Sequence, residues 1–147
     1  MSRVLALGAF LLAASAARAD QAEHIKAIEK HGGKVRIINI RGGVVFIDLN
    51  KCKTADDAVG DLGSLKSALE SLDLTGSNFS DRGMKQLKDC EVLRGLSLNE
   101  SKATDAGIQE LNDMKHIRWL ILKNTGVTAK GAQQLRRSLQ ETYIIME

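Results

Sequence analysis

Several residues in this chain have types that could do chemistry. Asp48 and Asp73 fall on one face of the elements read below, where two carboxylates could work as an acid–base pair. His24, His31 and His116, with Cys52 and Cys90, make up the candidate nucleophiles and metal ligands. His31-Gly32-Gly33-Lys34 carries part of a phosphate-cradling loop, and Asn78-Phe79-Ser80 and Asn99-Glu100-Ser101 fit the acceptor pattern for N-glycosylation.

Weighing each against its spacing leaves little. The glycine loop lacks the first glycine at the phosphate-loop spacing and the Ser or Thr after lysine, so a tight turn is expected there. The histidines and cysteines lack metal-ligand spacing, so no metal and no cofactor is expected. Acid–base work at Asp48 and Asp73 needs a pocket that a short open sheet hardly supplies, so the chain is not expected to be an enzyme. The two Asn-x-Ser sites matter only in a host that glycosylates.

The first residues carry a different message. Met1-Ser2-Arg3, the apolar run Val4 to Ala14 and Ala17-Arg18-Ala19 before Asp20 follow the order of a secretory signal peptide. The apolar run is shorter than the roughly 20 residues that span a bilayer, which argues against a membrane anchor. The expectation is a leader over residues 1–19, cleavage after Ala19, and a secreted or periplasmic protein with no stable membrane span. The whole chain has 21 Lys and Arg against 18 Asp and Glu. Arg3 and Arg18 leave with the leader, so the rest is close to neutral, and its charges alternate in sign along the length. A nucleic-acid or other polyanion partner therefore has little support.

A core in this chain must be aliphatic, because there is no proline and the aromatics are three Phe, one Trp and one Tyr. Its pattern is an internal repeat. Leu72, Leu96, Leu120 and Ile144 stand 24 residues apart, and Leu74, Leu98, Leu122 and Met146 keep the same interval, as do Gly83, Gly107 and Gly131, and Leu87, Leu111 and Leu135. Ile47-Asp48-Leu49 with Ala55-Asp56-Asp57-Ala58 is a degenerate earlier copy, one residue longer. The reading is four units and a closing strand.

Each column has a physical reason. In Leu-x-Leu the period of two sends both leucines to one face of a short strand and the middle residue to the other. Ser80, Thr104 and Thr128 are good helix N-caps, and Asp81 and Asp105 follow them where a first-turn carboxylate favours the helix dipole. The glycines let one unit's backbone approach its neighbour. Met84, Ile108 and Ala132, with the leucines three residues on, form the inward stripe of each helix. One unit cannot hide both its strand leucines and its helix stripe, so units must stack. Val35 to Ile40, Arg41-Gly42-Gly43 and Val44 to Leu49 read as a hairpin that shields the first unit, with Ile25 and Ile28 on a preceding short helix. Cys52, in a turn, and Cys90, at a helix end, sit too far apart in this register for the 5 to 6 Å of a disulfide, so two separate buried thiols are expected.

These residues resemble the leucine-rich-repeat superfamily, in its short-period form Leu-x-x-Leu-x-Leu-x-x-Thr-x-Val-Thr-Asp-x-Gly-Leu. That form is abundant in exported bacterial proteins and related to the cysteine-containing repeats of F-box proteins. The match runs over roughly Val44 to Glu147, with the clearest copies at Leu93 to Leu111 and Ile117 to Leu135. The lead-in Ala27 to Val35 is similar to the segment that precedes such repeats. The Asn or Cys column departs from the pattern, holding Cys52, Ser77, Ser101 and Thr125. The resemblance implies an α/β solenoid: a short horseshoe with parallel strands on the concave face, helices on the convex face, and an N-terminal helix and hairpin cap. Residues 20–43 would be the cap and 44–147 the repeat domain.

The resemblance also implies recognition of a partner, usually protein, through the concave strand face. Reading outward positions from the register gives Phe46, Ser71, Gly95, Trp119 and Tyr143 in one row, and Asp48, Asp73, Ser97, Ile121 and Ile145 in the next. Asn50, Thr75, Asn99, Lys123 and Glu147 follow in a third. Trp119, Ile121, Lys123, Tyr143 and Ile145 are the expected partner-binding residues. Tyr143 and Ile145 could instead only pack against the chain end. The expected function is a non-catalytic exported protein-binding module. The alternatives are an envelope component that self-associates through its open end, and an F-box-like substrate-recognition element, which the leader argues against.

Overall fold

The computed structural model describes residues 18–38 and 44–147. The expected leader lies outside the described residues except for Arg18 and Ala19, which belong to helix α1 (residues 18–30). The expected hairpin turn Arg41-Gly42-Gly43 lies outside them as well. No described helix is long and apolar enough to cross a membrane.

The architecture is mixed α/β. Helix α1 ends at the tight turn expected for His31-Gly32-Gly33: the Gly33 amide donates to the Ile28 carbonyl at 3.0 Å, and Gly32 takes φ +84°, which glycine adopts without strain. The chain then forms β1 (Lys34–Ile38) and β2 (Val44–Asp48), which pair antiparallel. From there each strand is followed by a helical segment: α2 (Ala55–Gly60), β3 (Leu69–Asp73), α3 (Asp81–Met84), β4 (Gly95–Ser97), α4 (Asp105–Ile108), β5 (Trp119–Ile121), α5 (Ala129–Ser138) and β6 (Tyr143–Ile145). The six described strands form one open sheet in sequence order, and β2 to β6 are all parallel.

The leucine columns are in register. Leu72 pairs with Leu96, Leu96 with Leu120 and Leu120 with Ile144, so each leucine is flanked by its counterparts in the neighbouring units. Leu72, Leu96 and Leu120 are buried and face the buried helix stripe of Met84, Leu87, Ile108, Leu111, Ala132 and Leu135. Each fully buried leucine contributes about 1.5–3 kcal/mol. The extra residue of the first copy has a definite place. Val45 pairs with Leu69 but Phe46 with Ser71, so a β-bulge accommodates Glu70 and the register resumes beyond it.

The helices are shorter than the pattern alone suggests. α3 and α4 each make one α turn and tighten into 3-10 segments, Lys85–Asp89 and Gln109–Leu111. Their starts follow the sequence reading: the hydroxyls of Ser80, Thr104 and Thr128 accept from the amides of Arg82, Ala106 and Gly131.

The aspartate and glycine columns do more than the sequence reading assigned to them. Each carboxylate reaches across to the N-cap of the next unit. Asp56 accepts from the Ser80 amide at 2.9 Å and its hydroxyl at 2.5 Å. Asp81 accepts from Thr104 at 2.8 and 2.6 Å, and Asp105 from Thr128 at 2.7 and 2.6 Å. The hydroxyl and backbone bonds from Thr128 hold the Asp105 carboxyl below its usual range. A Cβ at Gly83, Gly107 or Gly131 would fall 2.4, 2.1 or 2.0 Å from the Oδ1 of Asp56, Asp81 or Asp105. At Gly107 and Gly131 the missing side chain admits a carboxylate, which is how units approach; at Gly83 it admits the Phe79 ring as well, whose Cε2 would lie 2.3 Å from the Cβ. Ala129 stands in the same column and adds no further rung.

Both cysteines are free, buried thiols. Burial pushes the Cys90 thiol from 9.0 up to about 11, so its thiolate fraction near pH 8 falls about a hundredfold. Native Cys90 should therefore alkylate at least that much more slowly than in urea-unfolded protein, followed by mass spectrometry. Equal rates in the two states would contradict its burial.

Candidate functional site: the open face of the sheet

Opposite the helical layer, the sheet presents the rows read from the register. β5 and β6 bring together the expected partner-binding residues, with Trp119 beside Tyr143 and Ile121 beside Ile145. The two rings stack with centroids 4.9 Å apart and planes 19° from parallel, a geometry worth about 0.5–1.5 kcal/mol beyond the area it buries. Even so, Trp119 is 54% exposed, Tyr143 65% and Ile145 39%. Ile121 is half-buried and Lys123 exposed, the latter's amide accepted by Asn99 Oδ1 at 3.0 Å from the neighbouring unit.

The other half of the face is polar and ordered by its own turns. Asp73 Oδ1 accepts from the Thr75 amide at 3.0 Å and the Thr75 hydroxyl at 2.6 Å, and that hydroxyl lies 2.9 Å from Ser97 Oγ. Asp48 Oδ1 accepts from the Asn50 amide at 2.9 Å. Lys34 and Arg36, on β1, stand in register with Asp48 and Phe46. Gly95 separates the two halves, between Ser71 and Trp119.

The residues after each strand make the turn that ends it. Ser77 and Thr125 donate to the Leu74 and Leu122 carbonyls at 2.6 and 2.9 Å. Cys52 instead donates its thiol to the His31 carbonyl at 3.0 Å, tying the turn after β2 to the turn after α1.

His24 and His31, which lack metal-ligand spacing in the sequence, meet Thr54 and Asp61 where α1 packs on α2. His31 Nδ1 lies 2.7 Å from Thr54 Oγ1, and Nε2 lies 3.0 Å from Asp61 Oδ2. His24 Nδ1 lies 3.0 Å from the Asp61 carbonyl. The partners are 23 to 37 residues apart in sequence, so no local motif signals them. The cluster fastens α1 and its turn to α2, which explains why Thr54 gives α2 no side-chain cap. His116 lies apart, 3.0 Å from the Cys90 carbonyl. Among the described residues no group of three His, Cys, Asp or Glu could hold a metal ion.

Among the described residues, the last strand has one edge without a neighbouring strand. Tyr143 N donates to the Arg118 carbonyl and Ile145 O accepts from the Leu122 amide, on either side of β5, so the Ile144 amide and carbonyl point to the other side. Arg136, on α5, donates to that carbonyl at 3.0 Å. A depression of about 550 Å³ lined by Asn112, Asp113, Lys115 and residues 137–141 includes none of the face residues. The candidate site is thus an open surface.

No family model matches the chain. No curated protein matches it either. Among solved structures, a chain described as "Structure of Chaetomium Mex67:Mtr2 subunits" is similar, with TM-score 0.53 at 18% identity, over 68% of this chain and 79% of that one. At that identity the likeness concerns the fold alone.

Proposed function

We propose that this chain is an exported leucine-rich-repeat protein that works as a non-catalytic binding module, holding a protein partner on the open strand face. The observation that carries the reading is the Trp119–Tyr143 stack. The chain has one Trp and one Tyr, and it leaves both on the same surface, pre-stacked, beside Ile121 and Ile145. Aromatic anchors with few rotamers, already ordered, are the usual carriers of binding energy at protein interfaces. A pair serving only to close the stack would be buried, whereas Tyr143 stays 65% exposed. The regular ladder behind the face supports the repeat reading, and the apolar run with its Ala17-Arg18-Ala19 site supports export.

Affinity capture from the native envelope, with the protein immobilised, tests the reading. Trp119→Ala with Tyr143→Ala should abolish capture of the partner while the circular dichroism and melting curve stay nearly unchanged. A large loss of stability would mean that the pair closes the stack. The second reading, self-association through the end strand, is favoured by the free β6 edge and opposed by Arg136, which occupies its carbonyl. Sedimentation at increasing concentration separates the two, since a strict monomer counts against self-assembly.

A further inference from the structure

We infer that His24 is a proton-sensing latch on α1, holding that helix to the end of α2 while the ring is charged and loosening it when the ring is neutral. The ring sits beside α2, at the other end of the sheet from Trp119 on β5, so its behaviour is independent of the proposed binding face. α1 covers the first layer of the core: Ile28 is fully buried in one cluster with Leu49, Leu62 and Leu65, and Ile25 packs against the same cluster. Two histidines join the helix and its turn to α2, and their hydrogen-bonding partners differ in kind. His31 is satisfied as a neutral ring. Its Nε2 faces the Asp61 carboxylate at 3.0 Å and its Nδ1 the Thr54 hydroxyl at 2.7 Å, so it donates at one nitrogen and accepts at the other.

His24 has acceptors at both nitrogens. Nδ1 lies 3.0 Å from the Asp61 carbonyl and Nε2 lies 3.4 Å from Asp20 Oδ1. Carbonyl and carboxylate oxygens only accept, and a neutral imidazole has one N–H to give. With the proton on Nε2 the bond to Asp61 is lost; with it on Nδ1 a ring lone pair opposes the Asp20 carboxylate. Only the imidazolium donates on both sides. The ring is also seated against backbone. Gly63 takes φ +45°, and a Cβ there would fall 2.0 Å from His24 Cε1 and Nε2 and 2.5 Å from Nδ1, so a side chain at this position would occupy the space of the ring edge that carries both nitrogens. Gly63 opens the 3-10 segment Gly63–Ala68, whose Lys66 pairs with Asp89 and not with the latch. Among the described residues neither Asp20 nor Asp61 pairs with a lysine or arginine, so the two histidines are the cations available to them.

Amide hydrogen exchange of the full chain reads the opening of α1. It is compared at about pH 5.5 and about pH 8, on either side of the ordinary histidine range and above the ordinary carboxylate range, with intrinsic exchange rates divided out. Protection over residues 20–33 should fall about fivefold at the higher pH, as expected for one partly exposed charged contact, while β3 to β5 keep theirs. Two variants separate a proton sensor from a ring that only fills space. His24→Gln keeps a donor for the Asp61 carbonyl and carries no charge at either pH. Asp20→Asn acts on a side chain that is 53% exposed, so packing is preserved, and its amide can turn a donor toward a neutral ring. Each should remove most of the pH dependence, whereas His31→Gln should lower protection at both pH values and leave most of the ratio between them. Wild-type protection that does not change with pH overturns the latch. So does a fivefold change that survives in His24→Gln or in Asp20→Asn, or a loss of protection that spreads equally through β3 to β5.

Discussion

Gly107→Ala should destabilise the protein by about 2–3 kcal/mol, although in an ordinary helix the same change stabilises by about 0.5–1 kcal/mol. The new Cβ would sit 2.1 Å from Asp81 Oδ1, 2.8 Å from Cγ and 3.1 Å from the Asp81 Cα. The carboxylate can swing away, but only by releasing the Thr104 amide at 2.8 Å and the Thr104 hydroxyl at 2.6 Å. Hydrogen bonds to a charged group contribute about 1.5–3 kcal/mol each, and Thr104 is exposed, so water recovers part of that loss. Because the Asp81 main chain is crowded as well, α3 and α4 must also shift apart slightly. Urea unfolding of Gly107→Ala, Asp81→Ala and the double variant measures the coupling. The second substitution should cost much less once the first has removed the carboxylate. Additive costs would show that the glycine column serves something other than the carboxylate.

A larger effect is expected at the strands. Leu96 lies between Leu72 and Leu120 and is 2% exposed, so truncation to alanine leaves a cavity bounded on both sides by units that cannot close over it. Leu96→Ala should cost about 3–5 kcal/mol, a large part of the 5–15 kcal/mol that holds a typical domain folded. Ile144 occupies the same column on the last strand, has one strand neighbour and is only partly buried. Ile144→Ala should cost less than half as much. Equal losses at the two positions would mean that stability is not built layer by layer. Neither change should alter the stacking of Trp119, so its emission in the folded state serves as an internal check.

The repeat was legible because its signals are short-range and redundant. A period of two within each Leu-x-Leu and of 24 between units needs no knowledge of the fold, and the strand pairing follows it from Leu72 to Ile144. The N-caps were legible for the same reason, since Ser80, Thr104 and Thr128 act within three residues of themselves. The 25-residue first interval announced an irregularity but not its form, because a bulge at Glu70 and a longer turn leave the same count. Asp81 and Asp105 looked like helix-dipole residues, and the bonds that occupy them reach residues 23 positions away. His31 and Asp61 carry no spacing signal, because they meet only when α1 folds back on α2.

Sequence alone assigned inward and outward residues around the Leu-x-Leu columns of β2 to β6, since alternation along an extended backbone is a local property of the chain. It therefore placed Trp119, Ile121, Tyr143 and Ile145 on one surface. Only the tertiary structure decided how those outward residues sit. The Trp119 and Tyr143 rings stack across β5 and β6, a Cβ at Gly95 would meet only Ser71, and Asp73 accepts both bonds from Thr75 on one oxygen. Each of these depends on rotamers chosen against a neighbouring strand that is distant in sequence, and no local rule supplies that neighbour.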